Sequence, residues 1–180
     1  IIPICLLDQG KIIRIRGISH CVRLPQHVAE RQARAAEEYL SNLGYWVEVS
    51  LEYYDPRSDP HLCPGSGIVL WAETTANALL EGDALGAKGK PAERVGKEAA
   101  EELYEQIRLG GAVDVHHTDQ LIIFMALADG VSRIKSSKIS MHTLTAIHVA
   151  ERIVGAKFTV GGGLGSSGVI EAEGVGLRRR

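Results

Sequence analysis

Isoleucine alternates with arginine along KIIRIRGIS (11–19), the two-residue period of a strand that buries one face. In LPQHVAERQARAAEEYLSNLG (24–44) the spacing turns helical, with Val28, Ala35, Tyr39, Leu40 and Leu43 as an apolar stripe. Pro25 suits the first helical turn and Gly44 the position just past the end. Tyr45 to Tyr53 alternates again, placing Val47, Val49 and Leu51 on one face and Glu48, Ser50 and Glu52 on the other. The stretch DPRSDPHLCPGSG (55–67) reads as a loop, in which Pro64-Gly65 fits the centre of a type II turn with Gly65 at positive φ. Strands are predicted at 67–74 and 79–85, followed by a helix from Pro91 to Leu109. That helix has Val95, Ala99, Leu103 and Ile107 on one face and stops at Gly110-Gly111. Residues 1–111 therefore read β-α-β-β-β-α, a small α/β unit able to close its own core.

From Ala112 the rhythm changes. A helix is predicted over 115–128, a strand over 132–140, a helix over 142–154, and strands over 156–160 and 168–173. The GGGLGSSG segment (161–168) reads as a flexible hairpin loop. The fold class is α/β of the two-layer α+β kind, in two parts, 1–111 and 112–180. Helix 115–128 is apolar almost all round in its second half. It wants packing on more than one side, which predicts a covering segment from elsewhere.

The 45% hydrophobic and 23% charged residues place the 180-residue chain among globular proteins with a real core. A net charge of −2 exerts no global pull on nucleic acid, so an RNA partner would need a local basic patch. Arg14, Arg16 and Arg23 with His20 and His27 form the one such cluster, and a solvated strand face is its simplest reading. The cysteines Cys5, Cys21 and Cys63 are odd in number and lack metal spacing, which predicts a reducing, cytoplasmic setting. No apolar run approaches the roughly 20 residues of a membrane span. The opening IIPICLLDQG reads as a cut into a longer protein, and the arginines at 178–180 as a solvated tail.

Polar residues that do not suit a core gather between Val113 and Phe158, which holds four of the seven histidines. His142 falls at a strand-to-helix junction after Ser140 and Met141. One reading is a capping or buried histidine. The other is an imidazole beside a helix N-terminus, whose free N–H groups favour a phosphate that the ring could attack to form a phosphoramidate. Asp119 and Gln120 open the apolar helix, either as favourable dipole chemistry or as hydrogen-bonding partners of a nucleotide. His116 and His117 suggest a metal at first glance, but helical neighbours point about 100° apart, and Asp114 or Asp119 adds no recognised ligand spacing. No dedicated metal site is predicted.

The segments RGISHCVRLPQHVAERQARAAEEYL, PGSGIVLWAE, ALGAKGKPAERVGKEAAEEL, DQLIIFMALA and SMHTLTAIHVAERI, in this order, resemble the C-terminal half of RNA 3′-terminal phosphate cyclase. The similarity covers about residues 8–160. It implies that 1–111 is the small inserted domain of two helices on a four-stranded sheet. It also implies that 112–180 is the end of a cyclase repeat whose N-terminal part lies outside this chain. By that resemblance His142 is the histidine that attacks the α-phosphate of ATP, and Asp119 and Gln120 are nucleotide contacts. His116 falls where a Tyr or His lines the same pocket. The implied reaction converts an RNA 3′-phosphate end to a 2′,3′-cyclic phosphate through histidyl-AMP, with Mg²⁺ or Mn²⁺ assisting. A separate N-terminal half or a homo-oligomer is the implied protein partner, and no membrane is involved. Two positions depart from the family pattern, Ala146 where Asn is common and Cys63 where a Gly precedes PGSG. The competing expectations are a non-catalytic RNA-processing or ribosome-assembly module and an inactive truncated fragment.

Overall fold

The computed structural model describes residues 1–55 and 57–178. Of the C-terminal arginines, Arg179 and Arg180 lie outside the described residues. Arg178 pairs with Asp129 at 3.2 Å. The chain is α+β, with four helices and two four-stranded mixed sheets among the described residues. It divides into two compact units. One comprises Ile1–Gly10, Ala76–Leu79 and the residues from Gln106 onward, the other Lys11–Thr75 and Leu80–Glu105.

The second of these contains β2 (Ile12–Val22), α1 (His27–Asn42), β3 (Val47–Tyr53), β4 (Gly65–Thr74), and most of β5 (Leu79–Leu85) and of α2 (Ala92–Leu109). The order β-α-β-β-β-α is the one read from the sequence. Its sheet runs β3-β2-β4-β5, with β2 parallel to β3 through the α1 crossover and antiparallel to β4. Alternation explains the burial, since Ile15, Ser19 and Cys21 of β2 are buried while Arg14, Arg16 and His20 lie on the other face. The α2 stripe of Val95, Ala99, Leu103 and Ile107 is buried as predicted. The α1 face differs from the expected stripe. Ala29, Gln32, Ala33, Ala36 and Leu40 are buried, because a Cβ at Gly96 of α2 would overlap the Gln32 carbonyl oxygen. Backbones this close admit alanine rather than Val28, Tyr39 or Leu43. Gln32 is accommodated by bonds with Ser19 and Ser66, each 3.0 Å long.

Two local expectations fail here. Helix α1 begins at His27, and Pro25 precedes it, accepting from Val28 N at 2.9 Å. Gly65 is not in the left-handed region. It opens β4 opposite Val22, so ladder pairing replaces the predicted turn.

The other unit contains α3 (Val115–Leu127), β6 (Val131–Ser136), α4 (Met141–Val154), β7 (Lys157–Gly161) and β8 (Gly168–Glu173). Its sheet runs β1-β6-β8-β7, where β1 is Cys5–Leu6. Residues 1–10 thus join the later part of the chain, because β1 adds parallel to the edge of β6. The compact units do not coincide with a cut at Gly111. Strand β6 ends at Ser136 rather than at 140, because Ser137 N turns to Val113 O at 2.7 Å and the alternation breaks there, with Ser136 and Ser137 both buried. Ile122 and Met125 of α3, Ile147 of α4, Ile134 of β6 and Ile170 of β8 pack into one core. The opposite side of α3 leaves Ile123 and Phe124 exposed.

Candidate functional site

Helix α4 starts where the chain leaves β6. Ser140 is its N-cap, in extended conformation, and its Oγ accepts from Thr143 N at 3.0 Å. His142 therefore is not the capping residue. Nor is it buried, since 88% of its side chain is exposed. It is the second residue of α4. There the backbone N–H groups of Met141 and His142 have no intrahelical acceptor, and the helix presents its positive end.

Asp114 caps α3, its Oδ1 accepting from His116 N at 3.0 Å and from His117 N at 2.8 Å. The second carboxylate oxygen holds the His117 ring at 2.8 Å. Sequence reasoning missed this role. The signal available was an Asp followed three residues later by a helix already in progress. Asp119 is the fifth residue of α3, beyond the first turn, so its carboxylate is not the dipole partner considered above. It faces the start of α4, with Oδ2 lying 3.9 Å from His142 Nδ1. That is too long for a direct hydrogen bond and close enough for attraction when the ring is protonated.

Asp119 and His142 sit at one end of a groove of about 470 Å³ between α3 and α4. Its walls are apolar, from Ile122 and Ile123 on one side to Ala146, Val149 and Ile153 on the other. Ala146 contributes only a methyl group to the groove wall. His116 and Gln120 are exposed on the helix that carries Asp119. The structure thus brings two of the four predicted site residues to one cleft, and places the other two on α3 outside its lining. Among the described residues no group of three or more His, Cys, Asp or Glu could hold a metal ion.

The predicted basic cluster is largely internal to its own surface. Arg14 pairs with Glu73 at 2.6 Å, Arg16 reaches the same carboxylate at 3.8 Å, and the Arg16 guanidinium lies 5.9 Å from the Trp71 ring centre. The Arg14 hydrogen bond holds the Glu73 carboxyl below its ordinary value. A cavity of about 480 Å³ in the same unit is rimmed by Arg31, Lys88 and Lys90. Arg31 and Lys90 are ion-paired to Glu93 and Glu98.

The family model for the RNA 3′-terminal phosphate cyclase (RTC) insert domain matches residues 7–108. The chain belongs to the RNA 3′-terminal phosphate cyclase family. A relative of that name from Staphylothermus marinus is 50% identical over 177 residues, covering 97% of this chain and 50% of the relative. Relatives of the same name from Hyperthermus butylicus and Methanopyrus kandleri are 47% and 46% identical, over 96% and 94% of the chain and 49% and 48% of their own lengths. The chain spans about half the length of the curated relatives it matches. Among the described residues no helix is long and apolar enough to cross a membrane.

Proposed function

We propose that this chain carries the nucleophile of an ATP-dependent RNA 3′-phosphate cyclase. The observation that supports it best is His142, exposed in the first turn of α4 with Nδ1 toward Asp119 at 3.9 Å. Approach of the Asp119 carboxylate from 3.9 Å to hydrogen-bond distance in the substrate complex holds the proton on Nδ1 and leaves the Nε2 lone pair for attack. Nε2 attacks the α-phosphorus of ATP. The P–N bond forms, the bond to the β-phosphate oxygen breaks, and pyrophosphate leaves. An oxygen of the RNA 3′-phosphate then takes the adenylyl group, freeing His142. The neighbouring 2′-hydroxyl attacks the activated 3′-phosphorus and expels AMP, closing the 2′,3′-cyclic phosphate. The N-terminus of α4 stabilises charge on the attacked phosphate.

His116, Asp119 and Gln120 line one helix face toward the nucleotide in this reading. The described acidic and imidazole groups do not fit an all-protein Mg²⁺ or Mn²⁺ site. The exposed apolar residues Ile123 and Ile153 support a covering segment supplied by the rest of a full-length cyclase or by another chain. The three free cysteines fit a reducing, cytoplasmic setting.

The test is incubation of the chain with α-labelled ATP and Mg²⁺ or Mn²⁺, with and without the N-terminal half of a relative. An acid-labile, alkali-stable adenylate that disappears in His142→Ala is the expected result. Labelling unchanged by that substitution sinks the nucleophile. No labelling of the reassembled protein points instead to a non-catalytic relative or an inactive fragment.

A further inference from the structure

Next to Asp119 on α3, and where β6 ends ahead of α4, the buried residues are polar, an unusual choice for an interior. Thr118, Ser136 and Ser137 have no exposed surface, and Gln106 is nearly as buried. Thr118 Oγ1 lies 2.6 Å from the Asp114 carbonyl oxygen and 2.8 Å from Ser136 Oγ. Ser136 Oγ accepts from Lys138 N at 3.2 Å and lies 3.0 Å from Lys138 O.

Each hydroxyl has one proton, so these contacts cannot all be donated at once. If both protons go to carbonyls, Thr118 to Asp114 O and Ser136 to Lys138 O, none is left between the two hydroxyls. With Thr118 donating to Asp114 O at 2.6 Å, Ser136 can instead give its proton to Thr118 across 2.8 Å, giving up the longer 3.0 Å bond to Lys138 O. In that arrangement the Thr118–Ser136 hydrogen bond ties α3 to the segment that leads into α4. Beyond it, Ser137 N bonds Val113 O, and the Ser137 hydroxyl bonds Gln106. Ile139 is held in both directions by the 161–168 hairpin, donating to Ser166 O and accepting from Gly165 N, each at 2.8 Å. Every residue from Ser136 to Ser140 is anchored.

Thr118 is the neighbour of Asp119, and Ser136 begins the anchored segment that ends two residues before His142. We propose that the Thr118–Ser136 hydroxyl pair is a positioning device that fixes the Asp119 carboxylate against the His142 ring. The proposal rests on the reading of His142 as the adenylate carrier. An apolar pair of the same size would fill this space more cheaply, but it would let α3 slide along β6 and lose the alignment.

Two measurements test it. The first is the change in the His142 ring NMR signals caused by Asp119→Asn, in the wild-type chain and in a Thr118→Val background. We expect that change to fall to about half or less in the Thr118→Val background, a coupling read as in a double-mutant cycle. We also expect Thr118→Ser to preserve it. The second is the rate of adenylate labelling, expected to fall about tenfold in Thr118→Val at saturating ATP with the half-saturating ATP concentration unchanged. Thr118→Ser should restore that rate. An undiminished ring response in Thr118→Val overturns the inference, as does a response that Thr118→Ser fails to preserve. If the wild-type protein takes no label, the nucleophile reading fails by itself and the NMR comparison alone decides this one.

Discussion

His142 Nδ1 and Asp119 Oδ2 stand 3.9 Å apart, on two helices separated in sequence by strand β6. The carboxylate is partly sheltered, with 24% of its side chain exposed, and the imidazole is open. Such a pair stabilises a cationic or tautomerically fixed ring more than it stabilises the fold. Asp119→Asn should therefore leave the melting temperature within about 2 °C of wild type. It should slow adenylate labelling of His142 by roughly 10- to 100-fold at saturating ATP. Equal labelling rates in quench-flow measurements would remove Asp119 from the chemistry.

Ser140 is a helix cap, and its distance from His142 in sequence makes a catalytic role tempting. The geometry assigns its Oγ to Thr143 N at 3.0 Å and to Thr143 Oγ1 at 3.0 Å. Ser140→Ala should cost about 1 kcal/mol, while Ser140→Gly should cost only a few tenths. Thermal denaturation of the two variants checks this order. A Ser140→Gly protein as unstable as Ser140→Ala would mean that the hydroxyl does more than cap.

Gly96 makes a prediction of opposite sign to the usual rule. Replacing an interior helical glycine by alanine normally gains about 1 kcal/mol. Here the added methyl would overlap the backbone carbonyl of Gln32, whose own side chain is locked by Ser19 and Ser66. Gly96→Ala should destabilise the protein by about 1–3 kcal/mol, as overpacking does. A urea midpoint that rises would show that α1 can retreat.

The same contact explains where the sequence could and could not be read. Period-two and helical spacing placed β2 through α2 correctly, because each element there has one wet face. The α1 stripe slipped by one position because close backbone approach buries Ala29, Ala33 and Ala36 in preference to larger residues. Nothing local announces a backbone approach. Strand β1 escaped notice because two residues, Cys5 and Leu6, carry no period and gain their pairing only from β6. The site divides in the same way. His142 at a helix start was legible from Ser140 and the apolar run that follows. The approach of Asp119 was not, since it depends on the turn at Ser137 and the Thr118–Ser136 link. The glycine-rich 161–168 segment, expected to be flexible, is pinned through Gly165 and Ser166 to Ile139. Composition reports the freedom of a chain before it finds partners.

Asp59 gives the clearest pH prediction. Burial alone would raise its pKa. The bonds it accepts from Arg23 N at 2.6 Å, His61 N at 2.9 Å and the His61 ring at 2.8 Å outweigh that cost and hold it at about 2. An ordinary Asp titrates near 3.9. The folded-state value is the lower one, so the carboxylate contributes stability above the unfolded value and loses it as pH falls through about 2. These bonds tie the 57–63 segment to Arg23, a non-glycine residue held at a φ of 50°. Acidification from pH 4 to pH 2 should therefore release the loop in the wild type. Asp59→Asn should be less stable at pH 7 and lose that part of the acid dependence. Proteolysis between Asp55 and Cys63, followed against pH, reads the effect directly. Wild-type and Asp59→Asn loops cut at the same rate at pH 7 would show that the carboxylate does not hold the loop.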